Sequence, residues 1–277
     1  MLAAFEKFLK SSCLIDSKNA LLVGASGGVD SMVLCHLLHQ SKQNFAMAHC
    51  NFQLRGEEAN EDQKFVEKLA SYYKVPFYST QFKTQEFSDQ ESLSIQMAAR
   101  QLRFKWFEEI RSSNTYDFIA IASHKDDSIE TFILNLLRGT GLEGVSGIKP
   151  IQNKIIHPML FADKKQILDY AQKNALGFRE DSSNASINYK RNQVRNQVIP
   201  LLTQIQPDFV DKIIQFQQIA IEHQSILASK VSEYQNTYVK GYSNNVIIEI
   251  TTDLSEIILH ELLKPFSFEH KQNFKIF

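Results

Sequence analysis

One short run near the N-terminus constrains this chain more than any other feature: Leu22-Val23-Gly24-Ala25-Ser26-Gly27-Gly28-Val29-Asp30-Ser31. An apolar strand ends in a turn with two adjacent glycines, and Met32, Val33, Leu37 and Leu38 continue as an apolar helix. Such a turn aims backbone N–H groups and a helix N-terminus at an anion. The commoner phosphate loop carries a lysine before its final Ser; here that place holds Asp30. A carboxylate beside phosphates repels them unless a divalent cation lies between, so magnesium is expected on Asp30 and the phosphate oxygens. The alternative is a plain strand-to-helix turn with Asp30 as a first-turn residue. Ser-Gly-Gly-x-Asp-Ser between a strand and a helix favours the phosphate site.

Up to about Met159, short apolar runs alternate with helical patterns, the arrangement that yields a parallel sheet with crossover helices. The expected strands are Ala20 to Val23, Phe45 to His49, Val75 to Tyr78 and Phe118 to Ala122. Phe65, Val66, Leu69, Ala70 and Tyr73 recur at helical spacing, as do Ile95, Ala98, Ala99, Leu102 and Ile110. Further helices are expected over Asp126 to Leu137, over Lys164 to Leu176 with Gly177 as its cap, and over Arg191 to Leu202, where Pro200 must kink or end it. A long helix follows from Pro207 to about Tyr238, and the tail carries Phe266, Phe268, Phe274 and Phe277 without a usable period. The fold class is thus α/β: an open parallel sheet with crossover helices over residues 1–205, then a smaller, mainly helical domain over 206–277.

A formal net charge of −1 excludes bulk basicity, so any nucleic-acid contact must come from a local patch. Cys13, Cys35 and Cys50 form neither a CxxC pair nor an even disulfide framework, which fits a reducing compartment. Glu6, Lys7 and Lys10 interrupt the apolar positions of the first segment, and no apolar run reaches membrane length. The reading is a cytoplasmic protein with no membrane partner; a homodimer is left open.

Ser26 to Ser31 resembles the signature of the PP-loop ATP pyrophosphatases, an adenine-nucleotide hydrolase-like group whose members generally release AMP and pyrophosphate. Four further stretches narrow the resemblance: His49 to Glu58, Ser94 to Arg103, His124 to Thr131 continuing to Leu142, and Arg179 to Asn184 leading to Tyr189 through Leu202. In this order they resemble the tRNA(Ile)-lysidine synthetases. That resemblance implies a two-step reaction with ATP and Mg²⁺ on a CAU-anticodon tRNA(Ile) and free L-lysine. The wobble cytidine's C2 oxygen attacks the α-phosphate, and the lysine side-chain amine then displaces AMP at C2. Phe52 stands where the family usually carries a second His, and many members are longer, with C-terminal domains that grip the tRNA. A tRNA-thiolating enzyme of the same superfamily and a catalytically silent nucleotide- or tRNA-binding module are the alternatives.

The resemblance assigns Ser26, Gly27, Gly28, Val29, Asp30 and Ser31 to ATP, with His49 shaping the pocket and Arg100 touching phosphate. Asp127 and Glu130 share a helix face, so two carboxylates can converge on one cation or amine. Otherwise they form a solvated first turn that complements the helix dipole. Their place after the fourth strand makes them the candidates for lysine, with Asp30 and Asp127 for the metal. His124 can take a proton from the lysine ammonium, or be a hydrogen-bonded strand-end residue. With Asp30, these three form the catalytic set. Arg191 and Arg195 share a face suited to the phosphates of ATP or tRNA, against a plain solvated basic face.

Overall fold

The structure, a computed structural model, describes residues 1–179, 190–242, 245–248, 257–258 and 261. The expected stretch Glu180 to Tyr189 and the aromatic tail from Phe266 lie outside the described residues. In chain order the first elements are α1 (Leu2–Ser11), β1 (Ala20–Gly24), α2 (Val29–Gln40), β2 (Asn44–Asn51), α3 (Glu57–Tyr73) and β3 (Phe77–Gln81). There follow α4 (Thr84–Gln90), α5 (Ile95–Ser113), β4 (Phe118–Ala120), α6 (Lys125–Leu137), α7 (Leu142–Val145), β5 (Ile151–Gln152), β6 (Ile155–Ile156) and α8 (Lys164–Lys173). Beyond the undescribed stretch come α9 (Lys190–Gln193), a π-helical segment (Val194–Val198), α10 (Ile199–Ile205), α11 (Phe209–Tyr238), β7 (Val239–Tyr242) and β8 (Asn245–Ile248).

The main sheet has the order β3-β2-β1-β4-β6-β5, parallel except for the β5–β6 hairpin. Strand alternation divides the core into two layers. Leu21 and Val23 face Val33, Leu34 and Leu37 of α2, with Phe5 and Leu9 of α1 and Ile167 and Ala171 of α8 in the same cluster. Leu22, Ala46 and Ala48 face Phe107 and Ile110 of α5. Burial on both faces is why β1 reads as an unbroken apolar run. The order reverses between β1 and β4, and at such a switch point the crossovers leave a crevice at the strands' carboxyl ends.

Several expected boundaries move for physical reasons. β3 begins at Phe77, two residues later than expected, and runs on through Ser79, Thr80 and Gln81; an edge strand half open to water tolerates that polar end. β2 extends to Asn51 to match it. Helix α8 ends at Lys173, with Asn174 as its cap and Ala175 in the left-handed region at φ +48°, so Gly177 does not terminate it. Pro200 neither ends nor interrupts the helical run of residues 190–205. Its missing N–H leaves the preceding turn a carbonyl without a donor, and the chain takes that up by widening into the π-helical turn just before it.

A third apolar cluster joins Ile129, Phe132 and Ile133 of α6 to Val194, and Val210 and Ile213 of α11 pack against it. On the same two helices the buried Gln217 donates from Nε2 to the Ser128 carbonyl at 3.2 Å and accepts from Ser128 Oγ at 3.1 Å. The long helix is thereby tied to the helix that carries Asp127 and Glu130.

Candidate active site

The loop after β1 is held open by its own serines. Ser31 Oγ donates to the Gly28 carbonyl at 3.0 Å and accepts from the Ser26 N–H at 3.2 Å, and the two hydroxyls lie 3.1 Å apart. Gly27 takes φ +91°, a conformation side chains resist, and the buried Val29 follows. Gly28 is the N-cap of α2 and no side chain caps the helix, so the N–H groups of Val29, Asp30 and Ser31 have no intrahelical acceptor. His49, buried at the end of β2, bonds through Nδ1 to the Ala25 carbonyl at 2.9 Å and braces the loop from below. Burial, partly offset by that carbonyl and by Asp62, pushes its pKa down. Arg179 pins the other side: its N–H donates to the Gly27 carbonyl at 3.0 Å, and its guanidinium reaches Glu61 and the buried Asp62, both at 2.7 Å.

From the far side of the switch point, the turn after β4 brings His124 and α6 to the loop. His124 is buried, with Nδ1 3.1 Å from Asp126 Oδ2 and Nε2 3.5 Å from Asp127 Oδ2 and 3.9 Å from Asp30 Oδ1. Burial alone would lower its pKa; the Asp126 hydrogen bond and the charges of Asp127, Asp30 and Asp126 outweigh it and raise the pKa instead. Three of the residues expected to act together, Asp30, His124 and Asp127, therefore do meet. Lys164 at the start of α8 joins them, its Nζ 2.6 Å from Asp30 Oδ1.

Arg191 and Arg195 form a double clamp on α6. Arg191 donates from Nε to Glu130 Oε2 at 2.6 Å and from Nη2 to Asp127 Oδ1 at 2.8 Å. Arg195 takes Glu130 Oε1 through Nε and reaches Oε2 at 3.1 Å and Asp127 Oδ1 at 3.4 Å through Nη2. Glu130 has no exposed side-chain surface, so it is a buried anchor with three guanidinium hydrogen bonds and not an open carboxylate. The arginine side chains keep 44% and 39% exposure, and each guanidinium carries five N–H donors, more than the bonds to Asp127 and Glu130 use.

Arg100 is exposed on α5 with its guanidinium 4.7 Å from the Phe104 ring centre. Arg103, one turn on, has a buried Nε without a hydrogen-bond partner; burial, then the charges of Arg100 and Arg191, lower its pKa. His157, just past β6, likewise has a buried unpartnered Nδ1, and burial with the charge of Arg100 lowers its pKa to about 4. His157, Asp126, Lys164 and Arg103 were not among the expected site residues. Only Asp126 had a local signal, its place between His124 and Asp127.

Asp30 and Asp127 are the carboxylates placed to hold magnesium beside a nucleotide. Both carboxylates lie near His124 Nε2, and Mg²⁺ beside a nucleotide needs only one or two carboxylates, its other ligands being phosphates and waters. Among the described residues no group of three or more His, Cys, Asp or Glu side chains is arranged as a metal cage. Cys13, Cys35 and Cys50 are all pushed up to about 12 by burial, so none is poised as a thiolate for sulfur transfer.

An uncapped Ser-Gly-Gly-x-Asp-Ser loop at the switch point of a parallel sheet marks the PP-loop class, and a family model described as a PP-loop domain matches residues 1–202. The fold is similar to that of the U34-tRNA thiolase NcsA from Methanococcus maripaludis, with a TM-score of 0.66, 16% identity and 80% of each chain covered. In sequence, a tRNA(Ile)-lysidine synthase of Petrotoga mobilis is 32% identical over 231 residues, 82% of this chain and 74% of that protein. One of Bacteroides thetaiotaomicron is 34% identical over 266 residues, 96% of this chain and 62% of that protein. This chain belongs to the tRNA(Ile)-lysidine synthase family. It spans about three fifths of the length of the curated Bacteroides, Porphyromonas and Parabacteroides relatives. Among the described residues no helix is long and apolar enough to cross a membrane.

Proposed function

We propose that this chain ligates L-lysine to C2 of the wobble cytidine of a CAU-anticodon tRNA(Ile), at the expense of ATP cleaved to AMP and pyrophosphate. The observation that carries the reading is the meeting of Asp30, His124 and Asp127 beside the uncapped loop, in a chain of the lysidine synthase family. In this reading residues 1–205 form the catalytic unit, residues 206–277 a smaller, mainly helical one, and the enzyme works in the cytoplasm.

The N–H groups of Val29, Asp30 and Ser31 bind the triphosphate of ATP at the positive end of α2. Asp30 and Asp127 would hold a magnesium ion, which would neutralise phosphate charge there. The cytidine O2 attacks the α-phosphorus, the bond to the bridging oxygen breaks, and pyrophosphate leaves. The neutral lysine amine then attacks C2, the C2–O bond to AMP breaks, and the amine loses a proton. His124 accepts that proton, and Asp126 orients its ring through Nδ1. Arg191 and Arg195, set by Glu130 and Asp127, and Arg100 face phosphate.

The test is nucleotide analysis of reactions containing ATP, magnesium, lysine and a CAU-anticodon tRNA(Ile) transcript. AMP and pyrophosphate in equal amounts, with turnover abolished in Asp30→Ala and by chelation, are expected. ADP as the product, or turnover without lysine or tRNA, contradicts the reading.

A further inference from the structure

Carbonyl oxygens repel phosphate, so an anion loop works only while its carbonyls turn away from the ligand and its N–H groups turn toward it. Three donors hold the carbonyls of this loop. His49 Nδ1 takes that of Ala25 at 2.9 Å, Ser31 Oγ that of Gly28 at 3.0 Å, and the main-chain N–H of Arg179 that of Gly27 at 3.0 Å. The C=O and N–H of a trans peptide point opposite ways, so holding the Gly27 carbonyl sets the direction of the Gly28 N–H. That N–H has a bond of 3.3 Å to Ser26 Oγ, long enough to be given up to a phosphate oxygen. Gly27 has no side chain to restrain its peptide and sits at φ +91°, so an outside contact has to do it.

Residues 176–179 belong to no helix or strand, so what keeps the Arg179 N–H in place is its side chain. Nε donates to Asp62 Oδ1 and Nη2 to Glu61 Oε2, both at 2.7 Å. The two ties are unequal. Glu61 is 59% exposed and holds weakly, whereas the Asp62 side chain keeps 7% exposure. Asp62 also stands on a firm base, one turn of α3 before the fully buried Val66, and that helix backs the loop: a Cβ on Gly27 would lie 3.6 Å from Val66. We propose that Asp62 is a positioning residue for ATP, acting through Arg179 to keep the Gly27 carbonyl turned away from phosphate and the Gly28 N–H turned toward it. The inference rests on the reading of the loop as an ATP site. Asp62 touches no ligand itself, and a bare carboxylate so near the loop would repel phosphate. Its second oxygen accepts from Arg55 Nη2 at 2.8 Å, so two guanidiniums cover its charge.

Calorimetric titration of the full chain with Mg-pyrophosphate and with a non-hydrolysable Mg-ATP analogue tests the proposal, because it reads affinity and the fraction of competent sites separately. In Asp62→Asn and in Arg179→Met both ligands are expected to bind about tenfold or more weakly at an unchanged number of sites, with the double variant no worse than either single one. Arg179→Lys, which keeps a cation for Asp62, recovers part of the loss, and Arg55→Met loses less than Arg179→Met. A purely structural role has a different signature: fewer competent sites at wild-type affinity, or equal losses in Arg55→Met and Arg179→Met. Either result overturns the proposal. Should Asp62→Asn fail to fold, Arg179→Met and Arg179→Lys decide by the same criteria, since that side chain is 36% exposed. Wild type that binds neither pyrophosphate nor the ATP analogue overturns the ATP-site reading itself, and the assignment of Asp62 with it.

Discussion

A carboxylate with no exposed surface has to be paired, and Glu130 is paired with two arginines that arrive from a helix 61 and 65 residues further along the chain. Breaking a buried ion pair by neutralising one side costs roughly 3–5 kcal/mol. Because Arg191 and Arg195 stay 44% and 39% exposed, we expect about 2 kcal/mol for Glu130→Gln, read as a lower urea midpoint at unchanged slope. Both reaction steps should fall together, since the arginines lose their anchor. Accumulation of adenylated tRNA in that variant would instead place the Glu130 carboxylate on lysine. The sequence showed these four residues as two separate pairs, each at helical spacing, Asp127 with Glu130 and Arg191 with Arg195. That the pairs face each other was not legible, because nothing local relates two helices so far apart in sequence. His157 was invisible for a similar reason: a histidine after a two-residue strand carries no period, and only burial beside Arg100 marks it.

Elements announced themselves in proportion to their burial. β1, buried almost throughout, is an unbroken apolar run and α2 a largely apolar one, whereas the β5–β6 hairpin, two residues a side around Asn153 and Lys154, was too short to show a period. The amphipathic pattern of α11 revealed a helix but not its mooring, which depends on one polar side chain. Gly147 sits beneath that mooring at φ +67°, where an added Cβ would meet Gln217 Nε2 and Ser128 Oγ. Gly147→Ala should therefore strain the backbone by about 1–2 kcal/mol and push Gln217 off Ser128. Limited proteolysis should cut α11 faster in the variant, with cleavage elsewhere unchanged; equal resistance would mean that the apolar contacts of Val210 and Ile213 suffice to dock the helix.

At the scale of the whole molecule, a parallel sheet gathers at one crevice residues that lie far apart in the chain: the loop after β1, the turn after β4, the start of α8 and the helical run 190–205. Fold class and loop were legible because both follow from local pattern. The inter-element bonds that complete the crevice, Lys164 to Asp30 above all, exist only once the crossovers are made. Formal charge near zero places any tRNA contact on local groups such as Arg100, Arg191 and Arg195, not on the overall field. The central claim is that this crevice joins lysine to one tRNA, and the direct measurement is radiolabelled lysine incorporation into CAU-anticodon tRNA(Ile) beside the methionine tRNA that shares its anticodon. The account predicts ATP-dependent label on tRNA(Ile), little on the methionine tRNA, and none on either with Asp30→Ala. Wild-type protein that consumes ATP yet leaves tRNA(Ile) unlabelled would contradict it.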